Sequence, residues 1–131
     1  MGKHRDRFEL SRTIYGKALV RLHEVLLADE TPIVRDALIQ RFEFTDELAW
    51  KNMFYWLRDQ GEDVPEMVRA VLQAAFRTQL ITDADLWERV KSSRDVTSHT
   101  YNEDQALDVA SFVRTQAVAA FDVLRARLDT L

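Results

Sequence analysis

The chain has no cysteine, which excludes a disulfide framework and a thiolate zinc site. Three glycines and two prolines in 131 residues are too few turn formers for a fold built of many short strands. No stretch approaches the roughly 20 apolar residues that span a bilayer. The opening Met1-Gly2-Lys3-His4-Arg5-Asp6-Arg7 is charged and lacks the apolar run of a secretion signal. The expectation is a cytoplasmic protein with no membrane partner. A phosphate-cradling Gly-rich loop and a His-Glu metal motif are also missing, and His4 and His23 stand without ligands at metal spacing. No metal and no cofactor are therefore expected. The formal charge of −4 weighs against a general nucleic-acid coat, whose affinity rests on neutralising phosphates, but leaves room for a local basic cleft.

What is present suits a helical core. Hydrophobic residues make up 47% of the chain, with seven Phe, three Trp and three Tyr, and the length is that of one domain. From about Arg7 to Ala28, Ile14, Ala18, Leu22, Val25 and Leu26 fall on one helical face. Thr31-Pro32 then supplies a cap and a first-turn proline for a second helix running to about Gln60. At about 1.5 Å per residue this helix spans roughly 42 Å. Its apolar surface includes Ile33, Phe42, Phe44, Trp50, Phe54 and Trp56, wide enough to need neighbours on more than one side. The aromatic run from Phe42 to Trp56 reads as core or as an interface between copies, and Glu47 and Lys51 as a surface pair. Gly61 is the natural stop.

Asp63-Val64-Pro65-Glu66 reads as a capping box for a third helix carrying Met67, Val71, Leu72, Ala75 and Phe76. Thr82-Asp83-Ala84-Asp85 reads as another, opening a short fourth helix with Leu86, Trp87 and Val90. Apolar density falls at Lys91-Ser92-Ser93. Asn102 and Gln105 can cap a fifth helix, whose inward side runs from Ala106 to Leu128. The fold class is all-α, an up-and-down bundle of four to five helices.

The link before that fifth helix holds the candidate chemistry: Arg94-Asp95-Val96-Thr97-Ser98-His99-Thr100-Tyr101. On a continuous helix Arg94 and Tyr101 would share one face and Asp95 and His99 another. Arg94 and His99 would point apart, so one chain makes a poor site unless the helix breaks here, and a second copy would complete it. A group that moves a proton beside a fixed cation suits chemistry at a phosphodiester. An imidazole, titrating near pH 6.5, suits the proton transfer. A guanidinium suits the phosphate, since its planar fork matches the oxygens and keeps its charge. Asp95 is placed to orient His99 as a neighbouring carboxylate. Arg89, Lys91 and Arg94 form a modest basic cluster available to RNA.

Each residue also has a plainer reading. Arg94 alone is an ordinary surface or ion-pair residue, His99 a satisfied histidine at a helix junction, and Tyr101 a core side chain with its hydroxyl at the rim. Arg12, Arg125 and Arg127 read as surface charges.

The pattern Arg94-x-x-x-x-His99-x-Tyr101 resembles the signature of the HEPN superfamily, in the form carried by HepT-like toxins and by substrate-binding partners of minimal nucleotidyltransferases. Arg41-Phe42-Glu43-Phe44-Thr45-Asp46-Glu47-Leu48-Ala49-Trp50-Lys51 is similar to that family's long-helix signature, and Gly61, Pro65 and Ala74-Ala75-Phe76 to its middle. Asp46 departs from it, standing where relatives often carry an aromatic residue, and is expected to loosen one packing or partner contact. The resemblance implies a single HEPN-like helical domain over 1–131 and a homodimer whose two motifs face a shared cleft. It further implies metal-independent RNA cleavage with Arg94 and His99 as catalytic residues, supported by Asp95, Ser98 and Asn102. In toxin–antitoxin pairs, it implies that a cognate nucleotidyltransferase silences the toxin by attaching AMP to Tyr101. The residues leave open a ribonuclease toxin, a non-catalytic helical subunit that presents substrate to a nucleotidyltransferase, and a helical interaction protein with a decayed site.

Overall fold

In a computed structural model describing residues 2–131, α1 (Gly2–Leu26) and α2 (Pro32–Asp59) lie antiparallel along most of their length. Three side chains on α2 mark the register against α1. Asn52 donates to the Phe8 carbonyl at 3.0 Å, Thr45 to Ala18 at 3.5 Å, and Arg41 to Arg21 at 2.7 Å. α3 (Val68–Arg77) and α4 (Ala84–Thr97) follow. The chain then continues from α5 (Glu103–Phe112) through a π-helical turn at Val113–Ala117 into α6 (Val118–Leu128), which returns antiparallel to α1. No strand occurs among the described residues, and the expected all-α bundle is what forms. None of the helices is long and apolar enough to cross a membrane, among the described residues.

The core centres on Phe121 of α6. Its ring lies 6.1 Å from Phe42 of α2 and 5.8 Å from Trp87 of α4, which ties three helices at one point. The buried Tyr15 donates its hydroxyl to the Phe121 carbonyl at 2.6 Å. Burial, and next the nearby Asp122 and Asp46, push this phenol well above its ordinary range. Gly16 gives α6 a close seat, because a Cβ there would stand 3.3 Å from the Arg125 guanidinium, which reaches the Gly16 carbonyl. Arg12 and Arg125, expected as plain surface charges, thus tie α1 to α6 through main-chain carbonyls.

Local signals set several boundaries. Thr31 accepts from the Val34 N–H at 3.1 Å with proline in the first turn of α2. Gly61 (φ 85°) stops α2 in the left-handed conformation that glycine adopts without strain. Asn102 and Gln105 form both halves of the expected capping box. The Glu47–Lys51 pair is made at 3.6 Å.

Three expectations need correction. No capping box forms at Asp63. The buried Val64 pulls an extended segment into the core, Asp63 pairs with Arg58 at 3.4 Å, and α3 begins only at Val68, with Met67 as its cap residue. At α4 the cap is Asp83, which accepts from the Leu86 N–H, and not a Thr82–Asp85 box. α4 also does not fade after Val90. It runs on through Lys91-Ser92-Ser93 to Thr97, because Trp87, Val90 and Thr97 keep one face buried.

The aromatic run on α2 divides. Phe42, Trp50 and Trp56 are core, whereas Phe44 is 58% exposed and Ile33, at the start of the helix, is 81% exposed.

Candidate functional site

The last turn of α4 and the link to α5 form the motif segment, and local hydrogen bonds end the helix inside it. Thr97 donates its hydroxyl to the Arg94 carbonyl at 3.0 Å and Ser98 donates its own to the Asp95 carbonyl at 2.8 Å. The Ser98 and His99 N–H groups also turn back onto α4 carbonyls. These bonds satisfy carbonyls that a helix end leaves bare. On the far side the Asn102–Gln105 box fixes the start of α5. Ser98 and Asn102 therefore hold the two ends of the link that carries His99 and Tyr101.

The helix thus breaks between Arg94 and His99, the condition under which one chain can begin to assemble the site. Because of that break, Arg94 and Tyr101 do not share a helical face as a continuous helix would require. Tyr101 is half-buried against the core. His99 is exposed, and its ring has no hydrogen-bond partner among the described residues. Asp95 does not reach it: its carboxylate is held by Lys91 at 2.9 Å, one turn back on α4.

Arg94 is half-buried and turned toward α2. Its Nη1 donates to Glu43 Oε2 at 3.1 Å, while its Nε is buried without a partner. A cleft of about 220 Å³ opens between Asp46, Glu47 and Trp50 of α2 and Lys91, Arg94 and Asp95 of α4, with Ser98 at its rim. Asp46, expected to loosen a packing contact, is a buried carboxyl on this wall. Burial pushes it up from 3.8 to about 7, against the pull of the Arg94 charge.

The basic cluster proposed from sequence splits. Lys91 and Arg94 face this cleft, while Arg89 turns to the α5 side, where it meets Gln116 and the Phe112 ring. A larger apolar cavity of about 390 Å³, lined by Ile81, Leu86, Trp87, Ala120 and Val123 among others, shares no lining residue with the cleft. Among the described residues no cluster of three or more His, Cys, Asp or Glu is arranged to hold a metal ion. His23 is paired with Asp122 at 2.7 Å.

Glu43 and Asp46 had no assigned chemistry in the sequence reading. Their signal was spacing: Asp46, Glu47 and Trp50 follow Glu43 by three, four and seven residues and so share one face of α2.

Residues 10–130 match the family model described as nucleotidyltransferase substrate binding protein like. The chain belongs to this family. It is 34% identical over 85 residues to the Haemophilus influenzae protein named "Probable ribonuclease HepT", a stretch covering 59% of this chain and 58% of that relative. The chain thus spans under two thirds of that relative's length. A crystal structure of a Thermus thermophilus protein superposes with a TM-score of 0.78 at 32% identity, covering 87% of this chain and 98% of the other. A chain of the toxin-antitoxin MntA-HpeT mutant crystal structure also gives 0.78, over 96% and 99%, at 16% identity, a likeness of fold. The family is thus of the HepT-like HEPN type, and in this member the Arg94–Tyr101 segment spans the last turn of α4 and the link to α5.

Proposed function

We propose that this HepT-like HEPN protein is the toxin of a toxin–antitoxin pair, an endoribonuclease that needs no metal and acts as a homodimer. The observation that carries this reading is the end of α4 at Thr97, which frees His99 to solvent while leaving Arg94 on a cleft wall. The 2′-oxygen of the RNA attacks phosphorus as its proton passes to a base. The bond from phosphorus to the 5′-oxygen then breaks, and that oxygen takes a proton from an acid. The products are a 2′,3′-cyclic phosphate and a 5′-hydroxyl. His99 moves the protons and Arg94 holds the charge that builds on the phosphoryl oxygens. Each chain has one His99, so a symmetric pair supplies both a base and an acid at a shared cleft. The exposed Phe44 and Ile33 on α2 offer apolar surface for such a pair.

The partner in this reading is a minimal nucleotidyltransferase, acting as antitoxin. The Tyr101 phenol attacks the α-phosphorus of ATP, pyrophosphate leaves, and an AMP ester remains. Its bulk and negative charge sit beside the cleft and occupy the Arg94 cation. Asp95, Ser98 and Asn102 support the link.

One observation favours a second reading, a non-catalytic subunit presenting substrate to a nucleotidyltransferase: Arg94 is already neutralised by Glu43. Expression with and without a cognate minimal nucleotidyltransferase separates the two. Growth arrest and RNA loss that vanish in His99→Ala support the toxin. Harmless expression with tight partner binding supports the subunit.

A further inference from the structure

The proposed reaction asks Arg94 to take a phosphate, yet its cleft is acidic. Glu43, Asp46 and Glu47 come from α2 and Asp95 from α4, against the cations Lys91 and Arg94. Three of these carboxylates have direct donors. Glu43 receives Arg94 at 3.1 Å, Glu47 receives the Trp50 indole at 3.0 Å and Lys51 at 3.6 Å, and Asp95 receives Lys91 at 2.9 Å. Asp46 has no donor among the described residues, though it is buried on the cleft wall. Beside it, the Nε edge of Arg94 is buried and unpaired. α3 contributes the uncharged Val68 to the wall, and the Tyr15 phenol approaches from α1, engaged with the Phe121 carbonyl.

A charge without a local partner acts on the whole cleft, and a buried one is screened little by salt. We infer that Asp46 is a positioning residue that gates Arg94. When neutral it lets the guanidinium exchange Glu43 for a phosphodiester; when ionised it holds the cleft too negative for that exchange. The inference rests on the ribonuclease reading. Burial puts the Asp46 proton near neutral pH, so the gate turns over near neutrality. Linkage makes the effect reciprocal: if the proton favours phosphate, phosphate in the cleft draws a proton onto Asp46. An aromatic residue at this position would leave the guanidinium ungated.

The test uses the full chain carrying His99→Ala, so that cleavage and the His99 proton are both removed. Affinity for a 2′-O-methyl RNA oligonucleotide is followed by fluorescence anisotropy from pH 6 to 8.5. Affinity should fall about tenfold across this range, the effect of one pKa unit of coupling. Adding Asp46→Asn should hold it at the low-pH level throughout, Asp46→Glu should restore the fall, and Arg94→Ala should abolish binding. An unchanged pH profile in the Asp46→Asn protein overturns the gate. Should that variant not fold, NMR titration of the Asp46 carboxyl with and without oligonucleotide decides, and no upward movement on binding overturns the gate. If the parent chain cuts RNA but Asp46 leaves the profile unmoved, the gate alone fails. If the parent neither cuts nor binds RNA, the ribonuclease reading fails with it.

Discussion

Arg94 Nη1 stands 3.1 Å from Glu43 Oε2, across 51 residues of sequence. This contact aims the proposed phosphate ligand at α2 and sets what a substrate must displace. It also makes the shape of the cation matter, since a lysine is a point charge on a flexible stem. Arg94→Lys should keep the fold and an ion pair at this position but lose roughly 100-fold in RNA cleavage, the scale of removing one oriented donor from a reacting centre. Single-turnover cleavage of a labelled RNA, beside a circular-dichroism melt, checks both halves. Full activity in the lysine variant would remove Arg94 from its assigned role.

Asp46 carries a stability signature of its own. Its folded value, about 7, lies above the ordinary 3.8. Between those two pH values the folded state holds a proton that the unfolded chain has lost. Stability therefore falls as pH rises from about 4 to about 7, and the full penalty, up to roughly 4 kcal/mol, is present above that range. Asp46→Asn should raise the melting temperature at pH 8 and change it little at about pH 3.5, below the ordinary carboxyl value. Equal shifts at both pH values would contradict the buried, unpaired carboxyl.

Tyr15→Phe removes the hydroxyl that donates to the Phe121 carbonyl and leaves that acceptor buried. The expected loss is about 1–3 kcal/mol in urea unfolding. A neutral substitution would mean water replaces the bond.

Gln79 sits at φ 63° where α3 ends, a conformation that costs side-chain residues roughly 1 kcal/mol and glycine almost none. Gln79→Gly should therefore stabilise the chain by up to about 1 kcal/mol, read from the denaturation midpoint. Destabilisation would show that the Gln79 side chain contributes contacts worth more than the strain.

The parts of this architecture written in short-range chemistry were legible from the residues. Thr31-Pro32, Gly61 and the Asn102–Gln105 box act within one helical turn, so type and spacing suffice to read them. The end of α4 was harder, because Lys91-Ser92-Ser93 looks like a helix end until the buried stripe of Trp87, Val90 and Thr97 is known. Asp63 misled for the same reason in reverse: the local cap signal lost to burial of Val64, a tertiary effect. Arg94 and Tyr101 were assigned one face on the premise of a continuous helix, which the hydroxyls of Thr97 and Ser98 help to end. Glu43 meeting Arg94, and the seclusion of Asp46, depend on how α2 and α4 pack, and no spacing along either helix contains that.

The most direct test incubates the purified chain with a defined RNA in excess EDTA and reads the product ends. Cleavage by the parent protein to 2′,3′-cyclic phosphate and 5′-hydroxyl termini, lost in His99→Ala, is the predicted result. RNA left intact by the parent, or cut equally well by the His99→Ala protein, would contradict it.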